Sequence, residues 1–471
     1  MKLKNLKIRF YTNVLVGAML IANNISAQNS NYMQWWKDAI FGLFLHWGLY
    51  SATAGDWKGH PTSRGEQFMM VERIPIKEYV TIADTFNPIH FNADKWVKMA
   101  KDAGMKYIII TSKHHDGFAM YDSKVSDFNI VKKTPYAHDP LKDLIIACHK
   151  NGLKFGFYYS LGRDWEDPDA ATDYPQKGGR SNTWDFPNED AKDVTKYLNR
   201  KAIPQIKELV TNYGKVDVLW FDTPELTPKS YSKRILDTIR KYQPDCIVNS
   251  RIGNGYGDYL VNEQKIEDNV NPKPWESCVT ISQYWAYNKH DTAWKSTNTL
   301  ARQLSEIISK GGNYLLNLSP KADGTFATQS EVRMDSLGKW IAINKEAIYG
   351  TKPWIITGEL DSSYLQRIPE RALTAKEKDI LDAVNDRTSK ALYPEYRFTT
   401  SGKTIFVFVN NPASLQIRIK SLADNISSSS KISLIGYSKK INFSKESDDW
   451  MVQLPKDFKP IIPMYVLKII P

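Results

Sequence analysis

The stretch Tyr107-Ile108-Ile109-Ile110-Thr111-Ser112-Lys113-His114-His115-Asp116-Gly117-Phe118 constrains this chain more than any other. A short β-branched apolar run has the length of a fully buried strand, and strands buried on both faces belong to parallel sheets. This run stops abruptly at two histidines, an aspartate and a glycine. In α/β barrels the groups that do chemistry stand at such C-terminal strand tips. An ordinary polar turn would carry the same residues, but four further strands end in the same manner, and the repetition favours a barrel rim.

From about residue 35 to 345 apolar strands alternate with amphipathic helices. Phe41–Leu45 runs into His46-Trp47-Gly48. Asn92 is placed to cap a helix whose apolar face is Trp96, Met99, Ala100 and Ala103, and Gly104 ends it. Asp139-Pro140 opens a second helix, followed by a strand over Lys154–Ser160. A long helix is predicted from Asp190 to Tyr213, then strands at Val216–Phe221, Cys246–Asn249, Ser277–Ile281 and Tyr314–Asn317. Strand and helix alternating through short links imply right-handed parallel crossovers. The expected fold is α/β, a (β/α)8-like TIM barrel, although only seven strands can be read where a complete barrel has eight. After Pro353-Trp354 the pattern changes to short alternating strands with one amphipathic helix at Ala375–Val384, which predicts a C-terminal antiparallel β-sandwich. The expected division is a signal segment at 1–27, a catalytic barrel at 28–352 and a β-sandwich domain at 353–471.

Lys2, Lys4, Lys7 and Arg9 precede an apolar stretch from Val14 to Ala22, and Ile25-Ser26-Ala27 offers a small-residue cleavage site. This is the pattern of a secretory signal peptide, too short to span a bilayer. It predicts a periplasmic or secreted protein. Losing those four positive charges lowers the net charge from +11 to about +7. No Lys/Arg cluster forms a stripe for nucleic acid, so no nucleic-acid partner is expected. No other segment is long and apolar enough to predict a membrane span. Cys148, Cys246 and Cys278 have neither a disulfide framework nor zinc-ligand spacing and read as buried thiols.

The strand ends collect His46 and Trp47; His114, His115 and Asp116; Tyr158 and Tyr159; Trp220 and Asp222; and Asn249, Ser250 and Arg251. The loop beyond carries Glu263, Glu267 and Asp268, then Trp275-Glu276. Carboxylates, imidazoles, one arginine and tryptophans on one rim suit carbohydrate chemistry. A glycosidase needs one ionised and one protonated carboxyl. Asp222, at a rigid strand end with Arg251 on the next strand, suits the ionised role; its alternative is a plain salt-bridged carboxylate. Glu263, in a loop that can desolvate it, suits the acid; its alternative is a solvated charge. A rival reading makes His46, His114, His115 and Asp116 the metal site of a metal-dependent hydrolase. Adjacent histidines point to opposite sides of a strand, however, unless the strand has ended.

These residues also carry a resemblance. His46-Trp47-Gly48, Lys113-His114-His115-Asp116-Gly117-Phe118, Asp122-Ser123-Lys124, Tyr158-Tyr159-Ser160, Trp220-Phe221-Asp222, Asn249-Ser250-Arg251, Pro274-Trp275-Glu276-Ser277-Cys278 and Gly311-Gly312-Asn313-Tyr314-Leu315-Leu316-Asn317 stand in the order found in α-L-fucosidases of glycoside hydrolase family 29, over roughly residues 35–355. The resemblance implies a retaining exo-α-L-fucosidase acting on fucosylated oligosaccharides or glycoproteins, without metal or cofactor. It makes Asp222 the nucleophile and His46, His114, His115, Tyr158, Trp220 and Arg251 fucose contacts, with Trp57 and Trp285 as further sugar-lining rings. Glu263 is the first choice for the acid/base and Glu276 the second. Asp164-Trp165-Glu166-Asp167-Pro168-Asp169 is expected to shape the region outside the fucose unit and resembles the branch that prefers α1,3/4 linkages. A barrel that binds fucose and has lost catalysis is the remaining alternative.

Overall fold

The computed structural model describes residues 32–170, 181–360 and 395–471, apart from 411, 413, 424 and 448. The expected signal segment and the helix at Ala375–Val384 lie outside the described residues. The chain forms two units, residues 1–38 and 39–471, and every strand described belongs to the second. No helix among the described residues is long and apolar enough to cross a membrane.

Eight parallel strands form one sheet: β1 (Phe41–Leu45), β2 (Tyr107–Lys113), β3 (Lys154–Ser160), β4 (Val218–Asp222), β5 (Ile247–Val248), β6 (Leu260–Glu263), β7 (Trp275–Thr280) and β8 (Asn313–Leu318). Their order is β5-β4-β3-β2-β1-β8-β7-β6, so β1 pairs with both β2 and β8 and the sheet curls into a barrel. The seam lies between β5 and β6, which meet through a single bridge, Asn249 to Tyr259. β6 is the eighth strand that the apolar pattern does not reveal. It has four residues, Leu260-Val261-Asn262-Glu263, and the seam leaves them half-buried to exposed. A strand that need not be dry on both faces has no reason to be a continuous apolar run.

The first predicted helix is Ala93–Asp102. The Asn92 side chain accepts from the Lys95 N–H, and Trp96, Val97 and Ala100 are buried. The next is Pro140–Lys150, capped by Asp139. The long helix expected over residues 190–213 is broken instead. A turn of 3-10 helix at Glu189–Ala191, a helical turn at Val194–Tyr197, a π-segment at Leu198–Ala202 and an α-helix at Ile203–Asn212 follow one another. Pro204 opens that last helix. Its missing N–H and its ring clash forbid a continuous i→i−4 ladder through this point.

Inside the barrel the close approach of β1 and β2 requires a glycine. A Cβ on Gly42 would lie 2.3 Å from the Tyr107 ring. The phenol of Tyr107 then reaches across the barrel to Glu276.

The C-terminal strands form two antiparallel sheets. One runs Lys352–Leu360, Glu395–Ser401, Thr404–Asn410, Met464–Ile470, Lys431–Leu434; the other runs Gln416–Ile419, Asp449–Gln453, Asn442–Glu446. Phe398, Val407, Ile417, Ile419, Trp450, Val452 and Leu467 fill the space between them. Thr404–Asn410 is apolar on both faces for a reason. Ile405, Val407 and Val409 face the sandwich interior, while Phe406 and Phe408 join the barrel's core, as alternation along a strand dictates. Phe408 packs against Trp340 of the helix Thr328–Ile348.

Candidate active site

Asp222 is the last residue of β4 and pairs in register with Ser160 of β3. Its Oδ1 accepts from Arg251 Nη1 at 2.6 Å and its Oδ2 from the Tyr158 hydroxyl at 2.9 Å. Burial pushes the Asp222 carboxyl up, but the charges of Arg251 and Arg163, with the hydrogen bonds from Tyr158 and Arg251, outweigh it and hold the group below the usual carboxylate range. An anion is thus fixed at a strand tip. The following residue, Thr223, has φ +52°, an uncommon conformation for a β-branched side chain and of the kind that clusters at functional turns.

Arg251 stands in the 3-10 turn Ser250–Ile252 just after β5. Its guanidinium lies 5.2 Å from the Trp220 ring centre, and its Nη2 donates to Glu263 Oε2 at 2.7 Å. One side chain therefore bridges Asp222 and Glu263. Glu263 is not in a loop, as expected, but at the C-terminal tip of β6, with its side chain 43% exposed.

The histidines meet because β2 has ended where they begin. A register shift between Thr111 and Lys113 precedes them, and the His114 and His115 rings come to 4.1 Å. His114 stacks on Tyr158 (5.3 Å, 13°) and lies 5.6 Å from His46. Burial drives the His46 pKa down to about 4, against the pull of Asn317 and Asp222. Burial, helped by His115 and His46, takes His114 well below its ordinary value. Both rings are neutral near pH 7, and His114 Nδ1 is buried without a hydrogen-bond partner. Around them stand Phe44, Trp220 and Trp285. Phe44 lies 4.9 Å from Trp220 and 6.0 Å from Trp285, and Trp285 lies 5.0 Å from His46. The result is an apolar wall beside a cluster of hydrogen-bonding groups, which matches the two faces of a deoxy sugar.

The metal-site reading does not survive the geometry of Asp116. Its carboxylate is taken by the Tyr79 hydroxyl at 2.8 Å and its own turn's Phe118 N–H at 3.1 Å. Hydrogen bonds orient two of the rings, His46 through Nδ1 to Asn317 and His115 through Nδ1 to Ser160. Among the described residues no group of three His, Cys, Asp or Glu side chains is arranged to hold an ion.

Other expected residues also fall differently. Glu276 is fully buried and pairs with Asn313, the first residue of β8. It accepts from the Tyr107 hydroxyl (2.7 Å) and the Trp220 indole N–H (2.9 Å). It therefore lies in the lower barrel, supporting Trp220, and not on the rim. Trp57 sits in the short hairpin Asp56–Trp57/His60–Pro61 and packs against Phe68 at 5.9 Å. Asp164 and Trp165, expected to shape the outer region, are buried. Asp164 joins Lys113 (2.9 Å) and Lys201 (3.0 Å) beneath the His114–Gly117 turn. A Cβ on Gly117 would lie 2.3 Å from Asp164 Oδ1.

Three residues escape sequence reasoning. Glu66, in the turn Gly65–Gln67, is buried. Burial raises its pKa to about 7 against hydrogen bonds that include the Ala286 N–H, and the Glu263 charge adds to the rise. Arg163 lies in the loop after β3, pairs with Glu225 at 2.8 Å and contributes its charge to Asp222. Asn317 holds His46. Of the three, Asn317 alone stood in a motif, Gly311–Asn317; lone loop residues have no periodicity to betray them.

The family model described as alpha-L-fucosidase matches residues 18–346. The chain belongs to the α-L-fucosidase family. It is a glycoside hydrolase. Among the relatives, the bovine tissue α-L-fucosidase is 32% identical over 349 residues, covering 70% of this chain and 71% of the relative. The human plasma α-L-fucosidase is 28% identical over 450 residues, 90% of this chain and 85% of its own length. In three dimensions the chain is similar to α-L-fucosidase isoenzyme 1 of Paenibacillus thiaminolyticus, with a TM-score of 0.75 and 29% identity over 94% of this chain and 99% of that one. It is also similar to the Lactobacillus casei α-L-fucosidase solved with its α-L-fucose product, with a TM-score of 0.63 and 39% identity over 67% of this chain and 99% of that one. The α-L-fucosidase structures thus match a TIM-like barrel followed by a C-terminal β-sandwich.

Proposed function

We propose that this α-L-fucosidase releases terminal fucose from fucosylated oligosaccharides or glycoproteins with retention of configuration, Asp222 serving as nucleophile and Glu263 as acid/base. The observation that carries the reading is the shared guanidinium of Arg251, 2.6 Å from Asp222 and 2.7 Å from Glu263. One guanidinium holding both carboxylates brings them to the same side chain, and retention requires the pair to stand about 5–5.5 Å apart, inversion about 6.5–9.5 Å. Asp222, ionised and rigid, attacks the anomeric carbon and forms a glycosyl ester. Glu263 gives its proton to the departing oxygen, then removes one from the water that hydrolyses the ester. His46, His114, His115, Tyr158 and Arg251 bind the sugar hydroxyls and ring oxygen region, and Trp220 and Trp285 face the C6 methyl. Glu66 adds a carboxyl beside Glu263.

Trapping with a 2-fluoro-fucosyl fluoride, followed by peptide mapping, tests the reading. The label is expected on Asp222; a label on any other residue overturns it.

In the same reading residues 1–27 are a secretory signal that directs the enzyme to the periplasm or outside the cell. Residues 28–352 are the catalytic barrel and 353–471 the accessory sandwich. The names of the relatives, tissue and plasma α-L-fucosidases, agree with export. Amino-terminal sequencing of the mature protein is expected to begin at Gln28.

A further inference from the structure

We propose that Asn317 is the positioning residue that makes His46 a hydrogen-bond acceptor, never a donor, toward one hydroxyl of the fucosyl ring. The inference rests on the reading that His46 faces the sugar, and it adds what the histidine can do there. The relay starts at the backbone carbonyl of Trp285. A carbonyl only accepts. Asn317 Nδ2 lies 2.8 Å from it, and Ser319 Oγ donates to the same oxygen at 2.6 Å. The amide of Asn317 is therefore oriented, with NH2 toward Trp285 and Oδ1 toward His46. Oδ1 stands 2.7 Å from His46 Nδ1, and an amide oxygen needs a donor. Nδ1 must carry the proton, so the neutral ring presents a bare lone pair at Nε2. Asn317 and His46 are both buried, which leaves neither side chain a competing solvent partner.

The two ends of this relay matter separately. The Oδ1 end fixes the tautomer and plane of His46. The Nδ2 end, with Ser319, fixes the segment that carries Trp285, whose ring lies 5.0 Å from His46. One side chain thus sets the distance between a sugar-hydroxyl acceptor and the apolar wall beside it. The groups facing His46 are Phe44, His114, Tyr158 and Trp285, with Asp222 the nearest charge acting on it. Burial drives the His46 pKa down to about 4, so the ring is neutral and Nε2 remains an acceptor from about pH 5 upward.

The test compares wild type, Asn317→Leu, Asn317→Asp and His46→Phe on 4-nitrophenyl α-L-fucoside and its 2-, 3- and 4-deoxy analogues, between about pH 5 and pH 8. In the wild type one deoxy analogue is expected to lose about tenfold or more in kcat/KM, the worth of one buried hydrogen bond. That loss disappears in His46→Phe and shrinks several-fold in Asn317→Leu. Asn317→Asp keeps an acceptor at Nδ1, but its charge favours the imidazolium. The loss then persists at pH 8 and fades toward pH 5, where the wild type retains it. A residue that merely fills space would not move this profile. Independently of activity, ¹⁵N spectra of histidine-labelled wild type should show His46 protonated at Nδ1 alone. An Nε2–H tautomer, or a deoxy penalty in Asn317→Leu equal to that of the wild type, would overturn the proposal. If no penalty depends on His46 itself, the underlying placement of the sugar fails, and the unaltered behaviour of His46→Phe identifies that outcome.

Discussion

The hydroxyl of Tyr158 donates to the carboxylate of Asp222 across 2.9 Å, from the middle of one strand tip to the end of the next. This bond is one of the contacts that hold Asp222 ionised against the cost of its burial. Tyr158→Phe removes it and leaves the ring stack on Trp220 (5.5 Å, 20°) in place. The Asp222 pKa then rises. A nucleophile must be ionised, so the acid limb of the kcat/KM profile is expected to move to higher pH, with a loss of about tenfold at its plateau. A profile that overlays the wild type would mean that another group sets this limb.

Asp222→Ala is expected to lower kcat by at least about 10³-fold while the far-ultraviolet circular dichroism is unchanged. In the proposed mechanism Asp222 forms the glycosyl ester, so its loss removes the first step.

The two candidate acids separate by rescue and by stability. Glu263→Ala removes an exposed strand-tip group. Azide is expected to restore its turnover of an activated fucoside, and its melting temperature should stay near that of the wild type. Glu276→Ala leaves the Tyr107 hydroxyl and the Trp220 indole without the acceptor each now uses. It is expected to cost about 2–5 kcal/mol of stability and to resist azide rescue. Rescue of Glu276→Ala and not of Glu263→Ala would reverse the assignment.

The wall of Phe44, Trp220 and Trp285 predicts selectivity at C6. An α-L-galactoside carries a hydroxymethyl where the α-L-fucoside has a methyl, and the added hydroxyl would press against aromatic faces. Its kcat/KM is expected to fall by about 10–200-fold relative to the matching fucoside. Equal rates on the two aryl glycosides would place the methyl elsewhere.

Sequence reading succeeded where one physical cause dominates. β1 and β3 agree residue for residue with the strands expected at Phe41–Leu45 and Lys154–Ser160, because burial on both faces leaves an unmistakable pattern. His46, His114, His115, Tyr158, Trp220, Asp222 and Arg251 gather because each stands near or just beyond the C-terminal end of a barrel strand. The reading failed where causes compete. β6 is short and half-wet at the seam, so Glu263 looked like a loop residue. Trp275-Glu276 read as the end of a rim loop, but Glu276 stands where its strand has only begun, which places it below the strand tips. Glu66 depends on a turn folding against Ala286, a contact no local pattern encodes.

Glu66 yields a stability prediction whose sign can be worked out. Its native pKa, about 7, stands above the ordinary 4.5. Between those two values the unfolded chain has released a proton that the native chain still holds. The native state therefore loses stability as pH rises through this window, and above about pH 7 the buried carboxylate bears the full cost. Asp116, raised by burial from 3.8 to about 6, acts with the same sign. Glu66→Gln deletes only the first contribution, because a glutamine is uncharged at every pH. Its melting temperature relative to wild type should thus be higher at pH 8 than at pH 4. The difference should correspond to a few kcal/mol at most, since a shift of one unit is worth about 1.4 kcal/mol. Thermal unfolding of both proteins across this range measures it. Parallel curves would show that Glu66 titrates in the native protein as it does in the unfolded chain, and would remove it as a neighbour of Glu263 that still bears a proton near pH 7.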